Sequence, residues 1–491
     1  MIKQIFTSSV LLLAIGCNSP FENKTPITPP SKNTYGVFRT LTPKALRLAK
    51  NGLSTVNTAT VNISSRVRHR SIQMLDGRIL IVGGDQNTTP SMDIYDPSTE
   101  TFTKSQAVPY YSRYAKLGSF YDYSYTDFCL INLPDGRVFL SGSPKRNGVG
   151  NDRFEIYDPI ADTLTVNIYA EYKTVGPISH GFYIGNNRLL LFEALEGRTV
   201  VLTLNSTGLS SIEYEEWANP PSADGLVFTS TIQDSNGNIY VIGGTSYGVI
   251  SKSIWKYTLP NIDFPYGLWA KQVDMNIARY DTSLLLLPGN KIGIYGGKTD
   301  LNNSTISSAS VEIFDIPTNK CSLSTNLVGD RSAATATYLQ TGYVLVAGGV
   351  NSYMESQDTQ LVHNNELLFS GSTGIMTTAR KYHSSVGLSN GLVLITGGEG
   401  STNSKTSGEL FDPQAALYIS YKSEQMALGS QMQFNSRTAT SSVIAIWSVD
   451  NTEVALIDSN GLLTSLKEGL VTVKATFGTD TAIARIKIIP E

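Results

Sequence analysis

A short apolar run ending in two glycines returns along this chain at intervals near fifty residues, and that recurrence limits the possible folds more than any other feature. The run reads Ile79-Leu80-Ile81-Val82-Gly83-Gly84, Ile239-Tyr240-Val241-Ile242-Gly243-Gly244, and Ile292-Gly293-Ile294-Tyr295-Gly296-Gly297. It returns as Val344-Leu345-Val346-Ala347-Gly348-Gly349 and Leu392-Val393-Leu394-Ile395-Thr396-Gly397-Gly398. Two weaker copies, Val138-Phe139-Leu140-Ser141-Gly142-Ser143 and Leu189-Leu190-Leu191-Phe192-Glu193, fill the gap. First glycines or their equivalents fall at 83, 142, 192, 243, 296, 348 and 397, so seven units repeat at spacings of 49 to 59 residues. Tight turns such as Asp76-Gly77, Asp135-Gly136, Asn236-Gly237 and Asn390-Gly391 precede the run. A variable loop follows it, then a strand ending in an aromatic residue and often Asp-Pro, as in Tyr95-Asp96-Pro97, Tyr157-Asp158-Pro159 and Phe411-Asp412-Pro413. One more strand leads to an arginine that opens the next unit. Short β-rich runs separated by glycine turns predict an all-β chain with four antiparallel strands per unit.

This unit resembles the kelch repeat, over residues 54–415. A period near fifty with a diglycine strand separates it from the shorter solenoid repeats. The resemblance implies a seven-bladed β-propeller, one blade per unit. Paired glycines suit a strand packed so closely on its neighbours that a side chain would not fit. Residues 55–62 are rich in Thr and Val and stand just before the first arginine. They are expected to supply the missing fourth strand of the seventh blade, which would remove two exposed sheet edges.

The flanks have a different character. Lys3, the apolar run Val10–Ile15 and then Gly16-Cys17 resemble the export signal and lipobox of bacterial lipoproteins. That resemblance implies a signal peptide at 1–16, a lipid on Cys17, and a protein held in the bacterial cell envelope, with the outer membrane as its expected place. Pro20, Pro26, Pro29 and Pro30 make residues 17–53 a lipidated, proline-rich tether. From 416 to 491 the rhythm stops. Trp447, Val454-Ala455 and Gly469 before Val471-Thr472-Val473 resemble a group 2 bacterial immunoglobulin-like domain, a small β-sandwich used as a spacer or adhesive unit.

A net charge of −3 with 16% charged residues lacks the basic face of a nucleic-acid binder. The loops after the diglycines are polar and varied, as binding loops on a rigid scaffold are. Arg66, Arg68, Arg113, Arg279, Arg331 and Arg380 stand at the entries to five of the units, around the expected mouth of the central channel. Two roles are open to them. They can grip carboxylates of an acidic glycan or peptide, or they can support neighbouring loops through backbone bonds. His69 and His383 each follow such an arginine by three residues, which favours a repeat-equivalent structural place. Cys129 and Cys321 fall in the second and fifth units and are expected to stay unpaired. No zinc spacing, phosphate loop or nucleophile elbow occurs, so neither metal nor cofactor is expected. The leading expectation is an envelope-anchored binding or adhesion protein that takes an unknown protein or glycan ligand. The alternative is a carbohydrate-active kelch enzyme resembling sialic-acid mutarotases or, further off, the copper-dependent galactose oxidases.

Mass spectrometry of the mature protein should find a diacylated Cys17 as its first residue, and Cys17→Ala should move the protein from membranes to the soluble fraction. A wild-type protein recovered unmodified and soluble would refute the anchor.

Overall fold

The computed structural model describes residues 37–40, 63–84, 90–109, 128–141, 153–168, 178–193, 199–204, 215–217, 230–246, 248–260, 267–301, 306–324, 326–339, 342–351, 355–363, 371–376, 378–400, 404–412, 418–420, 425–437, 442–478 and 480–490. Among them the chain is all-β, apart from a single 3-10 turn at Ser404–Thr406. Six antiparallel sheets are built from four strands taken in chain order. The first runs Arg70–Gln73, Ile79–Val82, Met92–Asp96 and Thr101–Lys104. The second to sixth begin at Leu130, Ile178, Ser230, Ser283 and Thr335. A seventh is made of Ser384–Gly387, Val393–Thr396, Gly408–Asp412 and, on its outer edge, Val37–Thr40.

That last strand corrects the expected closure. Val37 lies opposite Asp412 and Thr40 opposite Glu409, so Val37–Thr40 holds the edge position that residues 55–62 were expected to fill. Residues 55–62 themselves lie outside the described residues.

The second strand of each sheet is buried on both faces because each sheet packs on two others. Ile72, Leu80 and Val82 of the first sheet share a core with Leu130, Val138 and Leu140 of the second. Ile79 and Ile81, pointing the opposite way by strand alternation, share another with Val386, Leu394 and Leu410 of the seventh. Sheets two and three, three and four, four and five, five and six, and six and seven each meet in a core of the same kind.

The glycines explain how the sheets approach so closely. Gly243, Gly296, Gly348 and Gly397 adopt φ between +57° and +63°. A Cβ at the first three would collide with the carbonyl oxygen of Arg279, Arg331 or Arg380 in the following sheet. The second glycine donates its amide to that same oxygen: Gly244 to Arg279 (3.0 Å), Gly297 to Arg331 (2.7 Å), Gly349 to Arg380 (2.9 Å) and Gly398 to Arg66 (2.9 Å). The last of these joins the seventh sheet to the first.

The C-terminal region is a two-sheet sandwich. One sheet holds Gln425–Ala427, Asp480–Ile489, Gly469–Phe477 and Ile446–Val449; the other holds Gln431–Gln433, Leu462–Ser465 and Ala455–Ile457. Phe434, Leu463, Val471, Val473, Ile486 and Ile488 fill it. The sandwich is joined to the sixth sheet. Tyr418–Ser420 pairs with that sheet's outer strand Gly371–Ile375, and Asn435–Arg437 pairs in turn with Tyr418–Ser420. Val328, from the stretch before the sixth sheet, lies in the sandwich core while its amide and carbonyl bond the side-chain amide of Gln360.

Candidate functional site

Four of the inner strands are preceded by an arginine that the structure turns inward. Arg66, Arg279, Arg331 and Arg380 are at most 1% exposed. Each reaches seventeen residues ahead to the carbonyl of its own sheet's first glycine: Gly83 (2.6 Å), Gly296 (2.9 Å), Gly348 (3.1 Å) and Gly397 (2.6 Å). Three of them also pair with a buried carboxylate on the third strand. Arg66 meets Asp93 at 2.7 Å, Arg279 meets Glu312 at 2.7 Å and Arg380 meets Glu409 at 2.6 Å. Burial would raise the carboxyl pKa of Glu312, but hydrogen bonds from Asn276 and Ile277 and the charge of Arg279 hold it below its usual value. The fourth differs: Arg331 bonds the Ser356 hydroxyl (2.9 Å), and burial pushes the Asp358 carboxyl up against the pull of Arg331 and of Arg485 from the sandwich.

The expectation of ligand contact is therefore corrected for these four arginines. A guanidinium taken out of water needs partners that satisfy its donors, and here the chain provides them. Arg113 and Cys17 lie outside the described residues.

Arg68 is placed differently. It stands two residues after Arg66, at a position where the backbone is left-handed in four sheets: Arg68 (φ +59°), Asp281 (+57°), Ala333 (+52°) and Tyr382 (+53°). Left-handed backbone costs a residue with a Cβ about 1–2 kcal/mol. The conformation is retained because it ties neighbouring sheets together: the amide of Arg68 donates to the carbonyl of Tyr382, and that of Tyr382 to the carbonyl of Ala333, both at 3.0 Å. The backbone repeats while the side chains do not. A second variable position faces the first. After three of the diglycines the next residue pairs with the strand leading inward, through Tyr280 opposite Lys298, Ser332 opposite Val350 and Lys381 opposite Glu399.

These positions gather a polar and aromatic cluster where the inner strands begin. The Arg68 guanidinium stacks 3.4 Å from the centre of the Tyr382 ring. Lys298 bonds the Tyr382 hydroxyl at 3.1 Å, pairs with Asp281 at 3.3 Å and lies 5.7 Å from the rings of both Tyr280 and Tyr382. Burial alone would lower the pKa of Lys298, but Asp281 and Tyr382 hold it above the ordinary lysine value. Tyr280 donates to the carbonyl of Asp300, and Lys381 pairs with Glu355 at 3.0 Å. Sequence reasoning reached Arg68 and, among the loops after the diglycines, Lys298, but gave no role to Asp281 or Tyr382. Their signal was the offset of two from each arginine and of one from each diglycine.

The histidines are framework residues. Nε2 of His69 meets the Thr396 hydroxyl of the seventh sheet at 2.8 Å, and Nε2 of His383 meets Thr335 of the sixth at 2.9 Å. Burial, with the nearby arginines, holds His69 well below the ordinary histidine pKa and lowers His383 to about 3. His180 is likewise lowered to about 3 by burial and Arg70. Cys129 is buried, and Cys321 is half-buried with its thiol pushed up to about 12 by burial and Glu312. Among the described residues no group of three or more His, Cys, Asp or Glu side chains is placed to hold a metal ion, and no helix is long and apolar enough to cross a membrane.

Residues 416–487 match the bacterial Ig-like domain (group 2), which agrees with the sandwich. No curated protein matches the chain. Among solved structures the chain is similar to a fungal alcohol oxidase of the AA5 family in complex with copper, at 13% identity and a TM-score of 0.44, over 90% of this chain and 89% of that one.

Two measurements check these roles. Arg279→Ala leaves Glu312 buried and unpaired, so urea unfolding should show a loss of about 3–5 kcal/mol. A loss below about 1 kcal/mol, the range of exposed pairs, would deny the arginine its structural part. The second concerns pH. Unfolded histidines bind protons below about pH 6.5, whereas His383 and His180 resist protonation down to about pH 3 when folded. The unfolded chain then holds more protons, so stability falls as pH drops from 7 to 5, by up to about 1.4 kcal/mol per pH unit per histidine. His383→Gln, which keeps a partner for Thr335, should flatten that slope in unfolding curves at pH 7, 6 and 5. An unchanged slope would contradict the assignment.

Proposed function

We propose that the chain is a lipid-anchored envelope protein built on a seven-bladed kelch-type propeller, and that it binds a ligand at the face where the inner strands begin. The propeller reading is supported by seven sheets that share cores in cyclic order and by the amide of Gly398 reaching back to Arg66. The binding reading rests on one observation above all. A repeating backbone displays unlike side chains, Arg68, Asp281, Lys298 and Tyr382, within one cluster at the expected channel mouth. The inter-sheet bonds at the left-handed positions are made by the backbone, so the side chains there are free to vary. The Ig-like domain joined to the sixth sheet suits a spacer that carries the binding face in a fixed orientation. Lipidation follows from the Gly16-Cys17 motif.

A glycan and peptide array probed with the full-length protein in detergent tests this reading. Selective retention of a subset of probes, with acidic ones prominent, is expected. Failure to retain any probe would overturn it.

A further inference from the structure

The charges in this cluster are not all paired, and the one cation left without a carboxylate partner selects a ligand. Lys298 is paired with Asp281 and Lys381 with Glu355, while the four buried arginines have internal partners. Arg68 differs. Among the described residues its side chain makes no hydrogen bond or ion pair, only the stack on Tyr382. The side chain of Arg70, two residues on, also makes no hydrogen bond or ion pair among the described residues.

We propose that Arg68 is the carboxylate-binding residue of this face and that the ligand is a sugar acid, a pyranose ring with one carboxylate and several hydroxyls. The inference rests on the binding reading above and adds to it the residue and the ligand chemistry. A guanidinium held by its flat face keeps its N–H edges directed outward in one plane, the arrangement that grips a carboxylate through two parallel bonds. Stacking on Tyr382 and the left-handed backbone hold the group in place before binding, so little freedom is lost when a ligand arrives.

The neighbours favour a sugar acid over an acidic peptide. Asp281, Glu355 and Glu399 belong to the same rim. They can accept hydrogen bonds from hydroxyls, and they repel a second or third carboxylate. The half-buried ring of Tyr382 adds an apolar surface suited to the C–H side of a pyranose.

The test uses glucuronate, galacturonate and a sialylated trisaccharide as probes, beside the methyl esters of the two uronates, the neutral parent sugars and a hexaglutamate peptide. Full-length wild type is compared with Arg68→Asn, which the left-handed backbone accommodates, and with Arg68→Lys. Wild type should bind at least one acid about tenfold to a hundredfold more tightly than its ester or neutral parent. Arg68→Asn should erase that preference with an unchanged melting temperature, and Arg68→Lys, a charge without the fork, should keep part of it. An acid preference that survives in Arg68→Asn overturns the assignment of the residue. Tighter binding of hexaglutamate than of every sugar acid overturns the ligand class. Binding of neutral sugars alone overturns this inference and spares the binding reading, whereas no binding of any probe overturns both.

Discussion

A buried guanidinium bonded to a glycine carbonyl seventeen residues ahead is the contact on which the arrangement of sheets depends. It occurs four times among the described residues, from Arg66, Arg279, Arg331 and Arg380. Its side chain ties the lead-in of a sheet to that sheet's own diglycine, and its carbonyl receives the amide of the preceding sheet's second glycine. One residue therefore holds two sheets at once. Burying such a charge is costly unless its donors are satisfied and a counter-charge lies near. Asp93, Glu312 and Glu409 supply that charge from third strands. The glycines follow from the same contact, since a Cβ at Gly243, Gly296 or Gly348 would force the next arginine's carbonyl away.

The sixth sheet shows what happens when this scheme is altered. Asp358 stands on its third strand, and Arg331 bonds its backbone carbonyl and the Ser356 hydroxyl. Arg485 from the sandwich contributes a second positive charge to its surroundings. The same sheet accepts Tyr418–Ser420 on its outer edge. An edge strand offers unpaired backbone groups to any strand that can reach it, and the Ig-like domain occupies this one. The modified arginine site and the sheet that carries the second domain are thus one region.

Much of this was legible in the residues. Apolar runs, glycine turns and terminal aromatics marked all seven sheets, because strand alternation and turn chemistry are local properties. The acids that pair with the arginines were marked too. Asp93, Glu312 and Glu409 each stand two residues before an aromatic, and buried Glu155 holds the same place in the second sheet. Which way an arginine points is not local. Arg66 and Arg68 differ by two positions in sequence, yet one is enclosed and the other lies at the rim, a consequence of the left-handed turn between lead-in and strand. The closing strand was equally hidden. Pairing on an outer edge runs through backbone groups that every residue carries, so Val37–Thr40 and residues 55–62 could not be ranked by β propensity.

The local backbone separates framework from display. Position zero, the arginine, is spent on internal bonds, and position three, where it is His69 or His383, on hydroxyls of a neighbouring sheet. Position two contributes its amide and carbonyl to the ring of contacts but nothing from its side chain to that ring. Arginine, aspartate, alanine and tyrosine can therefore occupy it in turn at a similar backbone cost, and each alters the rim without replacing a buried arginine. This separation lets a chain whose stability rests on closely packed glycines and enclosed ions carry a variable surface. The residues beyond the diglycines, Lys298, Val350 and Glu399, extend the same rule to the loops. If the proposed binding holds, recognition is written at offsets of two and one from the framework residues, and Arg68, whose side chain among the described residues makes only the stack on Tyr382, is where it would meet a ligand.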